Sequence, residues 1–196
     1  MLAYQLSLYV HLLALVAASA TSSVVHLAAA RARSAAGVAE ARQWHALAGS
    51  SARMFPIATL LLFATGAIMV SLHGPWSWST GWVDAGIAGV VFLLLSVPVL
   101  GRRGARAGRA LAGLAAGEVE KVRDILHDPL GEALSWANTG VALGVVFAMA
   151  AKPSLPAALA AVALGGAAGV GVQLLSARRA GARPSPALLA ADDLAA

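Results

Sequence analysis

The chain contains no cysteine. That excludes disulfides, thiolate chemistry, iron–sulfur ligation and CxxC redox motifs. Charge is scarce as well: 12% of residues are Asp, Glu, Lys or Arg, and acids are outnumbered by bases, 9 to 14. The marks of common enzyme classes are missing. There is no P-loop, no G-x-G-x-x-G after a strand, no G-x-S-x-G and no H-E-x-x-H. No charged relay runs down the middle of several apolar stretches, as a proton pump requires.

What is present is hydrophobic. Apolar residues make up 59% of the chain, and the mean hydropathy is +0.77. Five apolar stretches, at 5–27, 54–72, 82–100, 133–151 and 156–176, are long enough to cross about 30 Å of hydrocarbon, which takes roughly 20 helical residues. The expected fold is therefore all-α: one membrane bundle over residues 1–176, with a tail over 177–196 whose Pro, Ala and Arg content reads as disordered.

Thirteen of the fourteen Lys and Arg residues fall on one side of this plot. Arg31, Arg33, Arg42 and Arg53 lie in the first break. Arg102, Arg103, Arg106, Arg109, Lys121 and Arg123 lie in the third, and Arg178, Arg179 and Arg183 in the tail. The break from His73 to Gly81 has none, and the fourth has only Lys152. Loops rich in Lys and Arg stay in the cytoplasm. This puts the N-terminus outside and the C-terminus inside, which an odd number of spans satisfies. Tyr4, Tyr9, Trp76, Trp78 and Trp82 gather at the outer edge, as amphipathic rings at headgroup level do. Met1 to Tyr9 carry no positive charge, so the first span reads as a retained helix rather than a signal peptide, although Ala18–Ser19–Ala20 mimics a cleavage site. The net charge of +5 fits basic loops meeting anionic lipid on the cytoplasmic face. Nucleic acid is not an expected partner.

Two soluble segments are expected to be helical. Residues 31–53 extend the second span into the cytoplasm. Residues 109–128 carry Leu111, Leu114, Val119, Val122 and Leu126 near helical spacing, and such a helix can lie in the inner interface with its apolar side down. Its charges pair at helical distances, Glu118 with Lys121 and Glu120 with Arg123. Glu120, Asp124 and His127 resemble one half of a carboxylate-and-histidine metal site, set against a solvated, salt-bridged face.

Ionisable residues at membrane depth are costly, and each is a candidate for function. His11 is the foremost, outward of the middle of the first span. It must pair with another helix, bind something or face water. Met69 and His73 lie four residues apart on one helical face, and Met149 sits at a similar depth in the fourth span. If the helices adjoin, these side chains can converge. His11, His73 and Met149 are candidate haem ligands, and His11, Met69 and His73 candidate copper ligands. The alternative is that the Met residues are core fillers and His73 a loop residue. His26 and His45 form a second possible pair, flanking the first inner loop. Gly140 and Gly144 in the fourth span, with Gly165 and Gly169 in the fifth, have the spacing that lets helices approach closely.

Several short segments carry a resemblance: Tyr9-Val10-His11-Leu12-Leu13, Phe55-Pro56-Ile57-Ala58-Thr59-Leu60, Thr65-Gly66-Ala67-Ile68-Met69, Trp82, and Ala148-Met149-Ala150-Ala151-Lys152-Pro153. Together they resemble a family of uncharacterised bacterial integral membrane proteins. That family is loosely similar to the membrane part of copper-resistance protein D and to HemJ-type protoporphyrinogen oxidases. The resemblance covers residues 5–153. It implies a four-helix unit in the bacterial inner membrane whose first-span histidine, here His11, binds haem b or copper. The rival expectation is a non-catalytic accessory subunit, packed against a membrane-protein partner or against a second copy of the chain.

Overall fold

The computed structural model describes residues 2–72 and 77–181. Among these the chain is helical, with no strand. Seven helices follow in order: α1 (Leu2–Arg33), α2 (Val38–Ala52), α3 (Met54–Leu72), α4 (Gly81–Ala112), α5 (Val119–Leu126), α6 (Pro129–Ala151) and α7 (Leu155–Gly181). Five units are long and apolar enough to cross a membrane: α1, α2 with α3, α4, α6 and α7. The all-α, five-span expectation is thus met. The fifth span continues past residue 176 as helix to Gly181, while residues 182–196 lie outside the described part.

Each boundary has a local cause. Asp128 caps α6, its carboxylate accepting from the Gly131 N–H at 3.0 Å, with Pro129 in the first turn, where its missing N–H costs nothing. Lys152 ends α6 in the left-handed conformation, φ 50°, and Pro153 follows. Before α2, the Glu40 carboxylate accepts from the Ala36 N–H at 3.0 Å. α2 and α3 are nearly continuous, joined at Arg53, whose N–H bonds to Ser50 O at 3.3 Å. α4 runs through Pro98 without ending.

α1 and α4 have 32 residues each, about 48 Å at 1.5 Å per residue. Both therefore outrun a bilayer by roughly 18 Å. The excess falls at the C-terminal ends of α1 and α4 and at the N-terminal end of the α2–α3 unit, all on the charged side. There Val38, Ala41, Leu111 and Val122 form a buried cluster, with Leu114, Val119, Ile125 and Leu126 against it. This small cap has a core of its own, at the charged ends of the apolar helices.

The cap corrects one expectation. The helix expected over 109–128 is two pieces: α4 continues to Ala112, and α5 covers only Val119–Leu126. The apolar side of α5 packs on α2 and α4 rather than lying on lipid. Once Val122 has a protein partner, burial there removes it from water as fully as the interface would.

Within the membrane part, α6 and α7 make the most intimate pair. A Cβ on Gly140 would overlap Gly165 O, and one on Gly169 would overlap Trp136 O. On Gly144 it would sit 2.6 Å from Ala161 O. The backbones touch because side chains are absent. α4 packs on both, α1 packs on α3, and α3 meets α4 over a short stretch.

Candidate functional site

The polar layer farther from the charged side centres on His11, which is 7% exposed and held between α1 and α3. Its Nδ1 lies 2.8 Å from Thr65 Oγ1. Thr65 in turn donates to Leu61 O at 2.6 Å. With the hydroxyl proton spent on that carbonyl, Thr65 Oγ1 is the acceptor and His11 Nδ1–H the donor. The imidazole lone pair then resides on Nε2. Gly66 borders the ring without crowding it: a Cβ there would make ordinary contact with His11 Cε1, at 3.7 Å.

The other sequence candidates fall as follows. Met69 is half-buried, one turn beyond Thr65 on the same face of α3. Met149 packs across α4, its methyl 3.6 Å from where a Gly86 Cβ would be. His11 is pinned in the α1–α3 seam and Met149 in the α4–α6 seam. His73 lies outside the described residues. Among the described residues no three of His, Asp and Glu gather as a metal set, so Glu120, Asp124 and His127 read as a charged surface.

A second polar layer joins α1 to α6 towards the charged side. Ser22 Oγ and His26 Nε2 each lie 3.0 Å from Thr139 Oγ1. The His26 ring stacks on Trp136, centroids 4.1 Å apart. Arg33 reaches Glu132 at 3.3 Å. His45 has a separate partner: its Nε2 is 3.0 Å from Gly104 O on α4, and Gly108 beneath it has no side chain to displace the ring. His26 and His45 thus serve different helices and make no pair. Between α4 and α6, Asn138 Nδ2 donates to Ser96 Oγ at 2.7 Å.

Sequence reasoning named His11 and Met69 but not the role of Thr65. The signal was available: Thr65 is the polar residue of α3 at a depth where His11 needs a partner. Thr139 is polar midway along the fourth span, yet nothing in its spacing says that it receives two residues of α1.

Compared with known proteins, the chain matches no family model, no curated protein and no solved structure.

Proposed function

We propose that this chain is a multi-pass protein of the bacterial cytoplasmic membrane that holds a transition-metal centre, copper or haem iron, on His11 Nε2. The observation that carries the reading is the Nδ1–H to Thr65 hydrogen bond. Metal-ligating histidines characteristically donate their other ring N–H to a fixed acceptor, which sets the tautomer and aims the lone pair. Of the two centres, copper(I) suits the residues better. Met69 offers a soft thioether on the face of α3 that already holds Thr65, and imidazole with thioether is a copper(I) donor set. Haem needs porphyrin-sized room beside His11. Two grooves among the described residues lie on α4, α6 and α7, and neither is lined by His11. A bound centre would supply one-electron chemistry in the outer leaflet, with His11 and Thr65 fixing its position.

The accessory-subunit reading has one observation in its favour. The outer side of α6 and α7 carries a groove of about 180 Å³ floored by Gly140, Gly165 and Gly169 and flanked by Leu143. Such a floor admits a partner helix.

The deciding experiment is metal analysis and an absorption spectrum of the purified protein, expressed with copper and haem precursor supplied. Stoichiometric copper, or a Soret band, is expected in the parent. His11→Ala should lose it, and Thr65→Val, which keeps the shape and removes the acceptor, should weaken it about 10- to 100-fold. A parent that purifies colourless and copper-free leaves the accessory-subunit reading in its place.

A further inference from the structure

A groove of about 470 Å³ runs between α4 and α7, lined by Ala88, Gly89 and Phe92 on one side and Val162, Gly166 and Val170 on the other. What continues from it towards the charged side is specific. On α4 the residues Phe92, Leu95, Val99, Arg102 and Arg106 follow at steps of three and four, so they form one stripe. Leu95 and Val99 are 69% and 41% exposed, and Arg102 and Arg106 are exposed too. On α7, Gln173 lies one turn beyond Val170 on the groove face. It is only 5% exposed, and its amide has no hydrogen-bond partner among the described residues. Arg178 follows on the adjoining face, in line with Leu174 and the groove-lining Ala167.

The two helices are parallel and in register. Gly81 and Leu155 touch where both begin: a Cβ on Gly81 would lie 2.9 Å from Leu155 Cα. Arg102 comes 21 residues after Gly81 and Arg178 comes 23 after Leu155, from the numbering. At about 1.5 Å per residue the two guanidiniums start within one turn of the same height. Helical side chains lean towards the N-terminus. Both therefore lean back towards the hydrocarbon edge rather than away from it. None of Arg102, Arg106 and Arg178 has a carboxylate partner among the described residues.

We infer that this groove and its arginines form a binding site for one anionic phospholipid. An acyl chain lies along the groove from the level of Arg102 past Val99 to Phe92, a run of ten residues from the numbering, about 15 Å, or half the hydrocarbon thickness. The ester region meets the Gln173 amide. The phosphate sits between Arg102 and Arg178, with Arg106 above, in the charge-assisted contacts that guanidinium makes with phosphate. A soluble polyanion has no use for the apolar half of the stripe, and a neutral lipid none for the cationic half. The site is independent of any metal at His11.

The test is native mass spectrometry and thermal melting of the full chain in detergent. The probes are phosphatidylglycerol, phosphatidylcholine with the same chains, and glycerol phosphate. Phosphatidylglycerol should be retained one to one and raise the melting temperature by about 5 °C at saturation. The other two should not. The double variant Arg102→Ala with Arg178→Ala should lose the preference over phosphatidylcholine. Ala167→Phe, which fills the groove without touching charge, should lose retention. Both changes are compared with their own lipid-free melting curves. Equal stabilisation by phosphatidylcholine, equal binding of glycerol phosphate, or unchanged retention in both variants would overturn the site.

Discussion

The guanidinium of Arg42 reaches two carbonyl groups that end α4, Leu111 O at 2.9 Å and Ala112 O at 3.0 Å, and one just beyond it, Leu114 O at 2.7 Å. The last carbonyls of a helix have no partner within it, and a cation there also meets the negative end of the helix dipole. Arg42→Ala should cost about 1–2 kcal/mol of cap stability. Arg42→Lys should recover only part, because an ammonium lacks the fork. Melting in detergent, followed by Trp44 fluorescence, measures both. Arg103 works differently. It grips Asp128 with two N–H groups, one of them at 2.6 Å from Oδ2, while Asp128 also caps α6. Arg103 holds the Asp128 carboxyl below the usual carboxylate range. A depressed folded-state value gives stability that is fully present above the ordinary Asp value, near 3.9, and is lost as pH falls from there through the lower folded-state value. Glu118, held down by Lys121, acts in the same direction. The melting temperature should thus fall as the pH drops below about 5 and go on falling below the ordinary carboxylate range. In Asp128→Asn the fall should be shallower, and the variant should start lower because the ion pair with Arg103 is lost, while the amide oxygen still caps α6 about as well as the carboxylate. A slope identical to the parent's would mean that Asp128 does not carry the pH dependence.

Among the elements, α6 and α7 show how a sequence pattern becomes a contact. The glycine spacing told that two helices would touch. The four-residue break between these spans, 152–155, told which two. Gly140→Ala and Gly165→Ala should each lower the melting temperature, because even one methyl meets backbone of the other helix. Gly171→Ala, with nothing within 4 Å of its Cβ, should hold or raise it, since Ala is favoured over Gly in helices by up to about 1 kcal/mol. Equal melting of all three would place the contact elsewhere. α5 shows the opposite case. Its apolar positions were legible, but their destination was not. Periodicity says that a face is buried and is silent on whether lipid or protein covers it. Only the extra length of α1, α2 and α4 creates the protein surface that claims Val122. His11 sits between these cases: its need for a partner was readable from its depth, and Thr65 as that partner depended on which helix became its neighbour.

For the whole molecule, the protruding ends of α1, α2 and α4 and the described arginines share one side. Cytoplasmic placement of that side is the expectation from the Lys and Arg asymmetry. A reporter fused after Arg183 should be active only in its cytoplasmic form, and one inserted at Ser79 only in its periplasmic form. Reversal at either site would sink the five-span topology. The bundle reads as two layers, α1 with α3 and α4 with α6 and α7. They are stitched by Ser22, His26 and Arg33 towards the charged end and meet sparingly elsewhere.

The hydrogen bond between His11 and Thr65 spans 54 residues of sequence, and synthesis makes that interval a length of time. A chain inserted as it is translated delivers α1 to the bilayer first. At about 5–20 residues per second, Thr65 follows roughly 3–10 s later. Throughout that wait an imidazole stands in the nascent membrane without its acceptor. The first helix must therefore linger beside the insertion machinery, or bring water with it, until the third arrives.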